Sequence, residues 1–216
     1  LGANKNSTDR IKDYTKVLQC CGPFVDFATI NVSSPNTENL RDFQEKNSLE
    51  NLVYQVLDCR YNLKNKIPIF LKIAPDLSLK QIDDIAEIAL KMDIDAIVAT
   101  NTTTDRQGIK SKLKNEKGGL SGKPLFPKST WVLAHLSERL NNKVALIGVG
   151  GISSAIDAYQ KLLAGATVVQ LYTGLVYNGL GLVSEINKGL NTILTKHGVN
   201  HVSQIVGKER RDYLKI

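Results

Sequence analysis

The chain has 216 residues, 42% hydrophobic and 23% charged, with a formal net charge of +7. That length supports one substantial core, and the balance is that of a globular domain rather than a fibrous or disordered chain. No apolar run approaches the roughly 18 residues that a spanning helix needs. The basic residues are scattered and interleaved with acids, as in Asp9-Arg10 and Glu209-Arg210-Arg211-Asp212. They read as solvated helix faces, not as a nucleic-acid interface, and no aromatic–basic ladder accompanies them.

In chain order, Leu1-Gly2 reads as a strand end, and the absence of an initiator Met there suggests part of a longer polypeptide. Ile11, Tyr14, Val17, Leu18 and Cys21 recur at helical spacing, and Gly22-Pro23 stops that helix. Phe24 to Ile30 reads as a buried strand. Leu49, Leu52, Val53, Val56 and Leu57 mark a second helix, and Pro68 to Ile73 a second strand. Ser78 with Gln81 matches a capping box opening a helix through Ile82, Ile85, Ala86 and Ala89. Asp95 to Thr100 is the next strand.

Residues 101–127 are polar, Gly-rich and irregular, a length of loop that usually carries function. A helix around Trp131 to Leu140 follows, then a strand from Val144 to Val149. A helix starts near Ser153 or Ser154 and ends near Ala164-Gly165. The last strand runs from Thr167 to Leu171, and the last helix from Leu182 to Lys196. The three cysteines, Cys20, Cys21 and Cys59, form no CxxC spacing. They suit a reducing compartment, with Cys20 and Cys21 as small buried hydrophobes. No metal site is expected.

The strands are continuous Val/Ile/Leu runs, which suggests a parallel sheet covered on both faces. Strand–helix alternation leaves either a (β/α) barrel or a doubly wound sheet open. The sequence holds five full strands and a stub at Leu1-Gly2. An eight-stranded barrel takes about 250 residues. The expectation is therefore an α/β fold: a (β/α)8 barrel lacking its first two strands and most of a third.

Two polar clusters follow apolar strands. Asn31-Val32-Ser33-Ser34-Pro35-Asn36-Thr37 ends the first, and Thr100-Asn101-Thr102-Thr103-Thr104 ends the third. Such groups cost free energy if buried unpartnered, so they read as loops built to hydrogen-bond a flat polar ligand. Ile147-Gly148-Val149-Gly150-Gly151-Ile152-Ser153 and Gln170-Leu171-Tyr172-Thr173-Gly174 look like an anion cradle. Glycines let amides approach a phosphate, and a helix N-terminus follows. A dinucleotide fingerprint does not fit, because GxGG lacks the spacing and no acid follows about 20 residues on. Lys72 lies within an apolar strand, which points its ammonium at an anion or a developing negative charge.

These segments, with Leu71-Lys72-Ile73-Ala74-Pro75-Asp76 and Gly118-Gly119-Leu120-Ser121-Gly122-Lys123-Pro124-Leu125, resemble dihydroorotate dehydrogenase, specifically its class 2, quinone-dependent branch. The resemblance covers essentially the whole chain. It implies the later portion, residues 1–216, of a single FMN-binding (β/α)8 barrel that oxidises dihydroorotate to orotate in pyrimidine synthesis and passes electrons to a quinone. It implies Ser34 as the general base at carbon 5; class 1 relatives carry Cys there. Asn31, Asn36, Asn101 and Thr102 match substrate-binding positions. Asn31, Lys72, Thr100, Gly122, Gly151, Tyr172 and Thr173 match positions that hold the flavin. Lys72 is expected near its pyrimidine end, favouring negative charge there.

The resemblance also implies an upstream segment that meets the membrane and admits quinone, so that the protein would be membrane-associated, at the cytoplasmic side of a bacterial inner membrane or at a mitochondrial inner membrane. No nucleic-acid partner is expected. The quinone branch rests on Ser34. Other readings of the same residues are a class 1 or dihydrouridine synthase-like FMN barrel, or a non-catalytic phosphate-binding barrel fragment.

Overall fold

The computed structural model describes residues 1–215. Twelve elements alternate: α1 (Arg10–Cys21), β1 (Ala28–Asn31), α2 (Lys46–Tyr61), β2 (Ile69–Ile73), α3 (Leu79–Lys91), β3 (Ala96–Ala99), α4 (Phe126–Leu140), β4 (Ala145–Val149), α5 (Ala155–Ala164), β5 (Val168–Gln170), α6 (Thr173–Asn178) and α7 (Leu182–Lys196). The strands form one parallel sheet in the order β1-β2-β3-β4-β5. Each strand pairs with the next in sequence, and each connection is a helical crossover, as parallel pairing demands. Among the described residues the sheet does not close: β1 and β5 are not paired with each other. The expected stub is present. Leu1 donates its terminal amine to Thr29 O and accepts from Asn31 N, flanking Ile30 as a parallel neighbour would.

The main core lies between the sheet's outer face and α1 to α4, with Leu18, Leu49, Leu52, Ile69, Leu71, Ile85, Ile97 and Leu133 all buried. The opposite, inner face carries a small cluster of Ala96, Val98 and Ile147, with half-buried Phe70 and Val149 against it. On β2 the alternation is plain: Ile69, Leu71 and Ile73 face the core, while Phe70 and Lys72 face inward. The expectation of a sheet covered on both faces fails most clearly at β5, whose Val168 is 52% exposed. That strand has a neighbour on one side only.

Several boundaries differ from the sequence reading. The run from Phe24 does not extend as a strand to Ile30. Pro23 sets a short 3-10 turn over Gly22–Phe24, Phe24 projects into solvent, and pairing begins at Ala28. Phe27 instead stacks on Phe70, with ring centres 4.8 Å apart. Helix α4 begins at Phe126, not near Trp131, because Pro127 falls in its first turn, where a missing N–H costs nothing. The short α6 was not expected; one and a half turns around Gly174 leave no readable period. Cys20 and Cys21 are exposed on the outer side of α1, and only Cys59 is buried. The capping box at Ser78 and Gln81 forms as expected.

Candidate active site

Because the strands are parallel, their carboxyl ends share one edge of the sheet. Asn31, the last residue of β1, lies opposite Lys72 of β2. Ala99 of β3 lies opposite Gly148 of β4, so the Thr100-Asn101 and Gly150-Gly151 turns emerge side by side. The polar clusters therefore meet.

Asn101 is the centre of the first group. Its Nδ2 donates to Ser33 Oγ at 3.0 Å and to Asn31 Oδ1 at 3.4 Å. Ser33 Oγ donates to Asn31 Oδ1 at 2.7 Å. Asn101 Oδ1 accepts from Thr102 N at 2.8 Å. Tyr14 on α1 donates to Asn31 O at 2.9 Å and anchors the strand end from outside the sheet. Burial pushes the Tyr14 phenol up to about 12, so it stays a donor. Asn31 thus spends its carboxamide oxygen on neighbours and keeps its Nδ2 donors for an outside acceptor.

Ser34 is half-buried beside this group, and its Oγ accepts from Asn36 N at 3.2 Å. Asn36 is exposed. Neither lines the large cavity of about 1260 Å³ that opens between the ends of β2 to β5. Lys72, Thr100, Asn101 and Thr102 line one end of that cavity, and Gly122, Gly151, Tyr172 and Thr173 the other. Lys72 is half-buried and has burial alone acting on its ammonium, which lowers its pKa. A partly desolvated cation with no carboxylate acting on it favours an anionic or electron-rich neighbour. Tyr172 also borders the cavity and is 80% exposed.

Glycines shape the far end. Gly122, Gly150 and Gly151 have positive φ of 75°, 116° and 80°. A Cβ at Gly151 would lie 2.4 Å from that of Phe126, so only glycine allows α4 to start this close. Thr173 Oγ1 donates to Ser121 Oγ at 2.9 Å and ties the β5 end to the segment before α4. Behind them Ser154 caps α5, and Asp157 accepts from Ser153 N at 2.9 Å.

Two features escaped sequence reasoning. The first is an ion-pair hub. Arg41 donates to Ser33 O at 3.2 Å, to Asp76 Oδ2 at 2.9 Å and to Thr102 O at 3.0 Å. Asp76 also accepts from Lys128 Nζ at 2.8 Å, from Thr104 N at 3.0 Å and from Thr103 Oγ1. Burial alone would raise the Asp76 carboxyl; these donors outweigh it and hold it at about 2. One guanidinium and one carboxylate thus fasten the loops after β1, β2 and β3. The second is where the Gly118-Gly119 segment docks. Thr103 and Leu120 pair as an antiparallel bridge that pins the long segment at its base. A Cβ on Gly119 would overlap Thr102 Oγ1 at 1.8 Å, and Pro35 Cγ would lie 3.1 Å away. The segment therefore crosses both polar loops at backbone contact. The sequence held a signal for it in the Gly118-Gly119 pair, but none that named its target.

The family model described as "Dihydroorotate dehydrogenase" matches residues 1–194. The chain belongs to the dihydroorotate dehydrogenase family. Relatives named dihydroorotate dehydrogenase (quinone) include one from Cereibacter sphaeroides strain KD131, 52% identical over 214 residues, covering 99% of this chain and 60% of the relative. Another, from Parvibaculum lavamentivorans, is 47% identical over 210 residues, covering 97% of this chain and 60% of the relative. Among solved structures, dihydroorotate dehydrogenase from Eimeria tenella in complex with ferulenol superposes with a TM-score of 0.93 at 32% identity, covering 97% of this chain and 61% of that one. The open sheet described above is thus an arc of the dihydroorotate dehydrogenase (β/α) barrel. The chain spans about 60% of the length of the curated relatives it matches.

Proposed function

We propose that this chain forms the later part of a quinone-dependent dihydroorotate dehydrogenase, oxidising dihydroorotate to orotate with FMN as cofactor. The observation that carries the reading is the carboxamide cluster of Asn31, Ser33 and Asn101 at the mouth of the sheet, next in register to Lys72, which forms no ion pair among the described residues. A planar ring with alternating amide donors and acceptors is the ligand such a cluster complements. Asn31 Nδ2, Asn36, Asn101 and Thr102 would hold the ring.

The cavity fits FMN on three counts. It is large, of about 1260 Å³. Its far end is lined by glycines, with Gly122 and Gly151 at positive φ and Gly151 held against Phe126 too closely for any side chain, which leaves main-chain groups facing the space. Its near end has a half-buried cation, Lys72. Gly122, Gly151, Tyr172 and Thr173 would hold the phosphate end through main-chain groups, with Thr100 and Lys72 toward the ring. Held there, FMN would supply the acceptor for the hydride that leaves carbon 6 of dihydroorotate.

Ser34 would take the proton from carbon 5, so that loss of a proton and a hydride leaves the carbon 5–carbon 6 double bond of orotate. Asn36 N–H donates to Ser34 Oγ and fixes its lone pairs, while the hydroxyl hydrogen stays free to move to an acceptor. Lys72 would favour negative charge at the adjacent ring edge. The quinone acceptor and membrane association belong to the same reading; among the described residues, no helix is long and apolar enough to cross a membrane.

The test uses the protein purified at its natural length. It should show flavin absorption and turn over dihydroorotate with a quinone. Ser34→Ala should retain flavin and lose turnover by roughly 10²–10⁴-fold, the range of a general base. Near-normal turnover of Ser34→Ala would remove Ser34 from the reaction, and absence of flavin from the wild type would remove the reading as a whole.

A further inference from the structure

Lys161 lies in the middle of α5 with no exposed surface at all. A fully buried lysine is rare unless it is paired. Its Nζ donates to Ser129 Oγ at 2.6 Å and sits 4.7 Å from the centre of the Phe126 ring. Its Cβ lies 3.4 Å from where a side chain on Gly148 would begin, so the lysine stem packs directly on β4. Packing does not by itself explain an ammonium there, because an apolar side chain of similar volume is often as stabilising as a buried ion.

The partners of Ser129 do explain it. Ser129 Oγ lies 3.2 Å from Gly150 O and 3.2 Å from Phe126 O. With Lys161 donating to the oxygen, the hydroxyl hydrogen goes to those carbonyls. The Gly150–Gly151 peptide is trans, so its C=O and N–H point in opposite directions. Holding Gly150 O against Ser129 therefore turns Gly151 N–H away from α4 and toward the cavity that both glycines line. A Cβ on Gly150 would lie 2.7 Å from Ser129 Oγ, so nothing bulkier could stand between them.

We infer that Lys161 and Ser129 are positioning residues for the cofactor phosphate: a buried relay from α5 through α4 that orients the Gly151 amide and sets a positive charge beneath the cradle. This rests on the FMN reading above. Burial pushes the Lys161 ammonium down to about 7, with Asp157 one turn away pulling the other way. A phosphate dianion across the glycine turn would favour the charged form, against the burial that disfavours it.

The test compares FMN with riboflavin, which lacks the phosphate, by fluorescence titration of the flavin-free protein at natural length. Lys161→Met keeps the stem and removes the charge. It should weaken FMN binding by about tenfold or more, the scale of a lost charge-assisted contact, and leave riboflavin binding unchanged. Its melting temperature should stay at or above that of the wild type. Ser129→Ala, which cuts the link to Gly150 and leaves the lysine, should give the same selective loss and serves if Lys161→Met does not fold. Equal weakening of both flavins, or of neither, overturns the relay. A wild type that binds neither flavin overturns the FMN reading and the relay with it, whereas an unchanged FMN-to-riboflavin ratio overturns the relay alone.

Discussion

Arg41 shows how one side chain sets the geometry of a site it does not enter. Its three contacts reach Ser33 O, Asp76 Oδ2 and Thr102 O, each on a different loop. Only the planar fork of a guanidinium spans three acceptors in this way; a lysine ammonium would satisfy fewer and leave the others slack. Arg41→Lys should therefore lower turnover by about a hundredfold through loop displacement, with flavin still bound. Steady-state rates with absorption spectra would check this. Asp76 makes a pH prediction. Its carboxyl titrates at about 2 in the folded protein against an ordinary 3.8. The folded state thus binds this proton more weakly than the unfolded state. Its contribution to stability is complete above about pH 4 and drains away as pH falls from 4 toward 2. Denaturation midpoints taken through that window should fall for the wild type, and Asp76→Asn, less stable throughout, should show a shallower acid slope. The polar clusters around these residues were legible because hydroxyls and carboxamides crowding after apolar strands have no core use. The hub was not: Arg41 and Asp76 are 35 positions apart and meet only once β1 and β2 pair.

At the level of elements, what was legible was what local chemistry decides. The capping box of α3 formed because Ser78 and Gln81 satisfy each other's backbone donors whatever surrounds them. The start of β1 was misplaced because Phe24 to Ile30 is mostly apolar, broken only by Asp26 and Thr29, while only pairing with β2 says where a strand begins. Helix α4 was read short because Pro127 looks like the end of the irregular segment, although proline in a first turn is unstrained. The segment between Thr103 and Leu120 combines both lessons, since its irregularity was plain and its docking was not. Gly119 lies against Thr102 and Pro35 so closely that any Cβ forces Thr102 aside. Gly119→Ala should therefore reduce turnover by about a hundredfold, because Thr102 and its Asn101 partner move together. Gly108→Ala, on the same segment, has open space around it but a φ of 77° that strains any Cβ; it should cost some stability and leave turnover near wild type. Parallel kinetic assays of the two variants separate a placed backbone from a generally fragile loop.

For the molecule as a whole, the two faces of the sheet differ in what covers them. Leu71 and Phe70 are successive residues of β2 on opposite faces: Leu71 is fully buried under the helices, and Phe70 is only partly buried beside Phe27. The sequence could not separate them, since both are large apolar residues in a continuous apolar run. Strand β5, with exposed Val168, and the exposed Tyr172, Val176 and Tyr177 beyond it mark the side where the inner face stands most open. The curated relatives extend well past the span matched here, and a barrel shields its inner face only when its strands run full circle. In the protein at natural length, Phe70→Ala should consequently cost about as much as Leu71→Ala, in the range of about 3–5 kcal/mol for large core truncations. If nothing further packs on the inner face, Phe70→Ala should cost clearly less despite removing more carbon, because a partly exposed ring has already forfeited part of its transfer free energy. Chemical denaturation of the two variants side by side gives the ratio directly. A ratio near one places the Phe70 ring inside a closed barrel layer, with Lys72 two residues further along the same inner face at the mouth of the site.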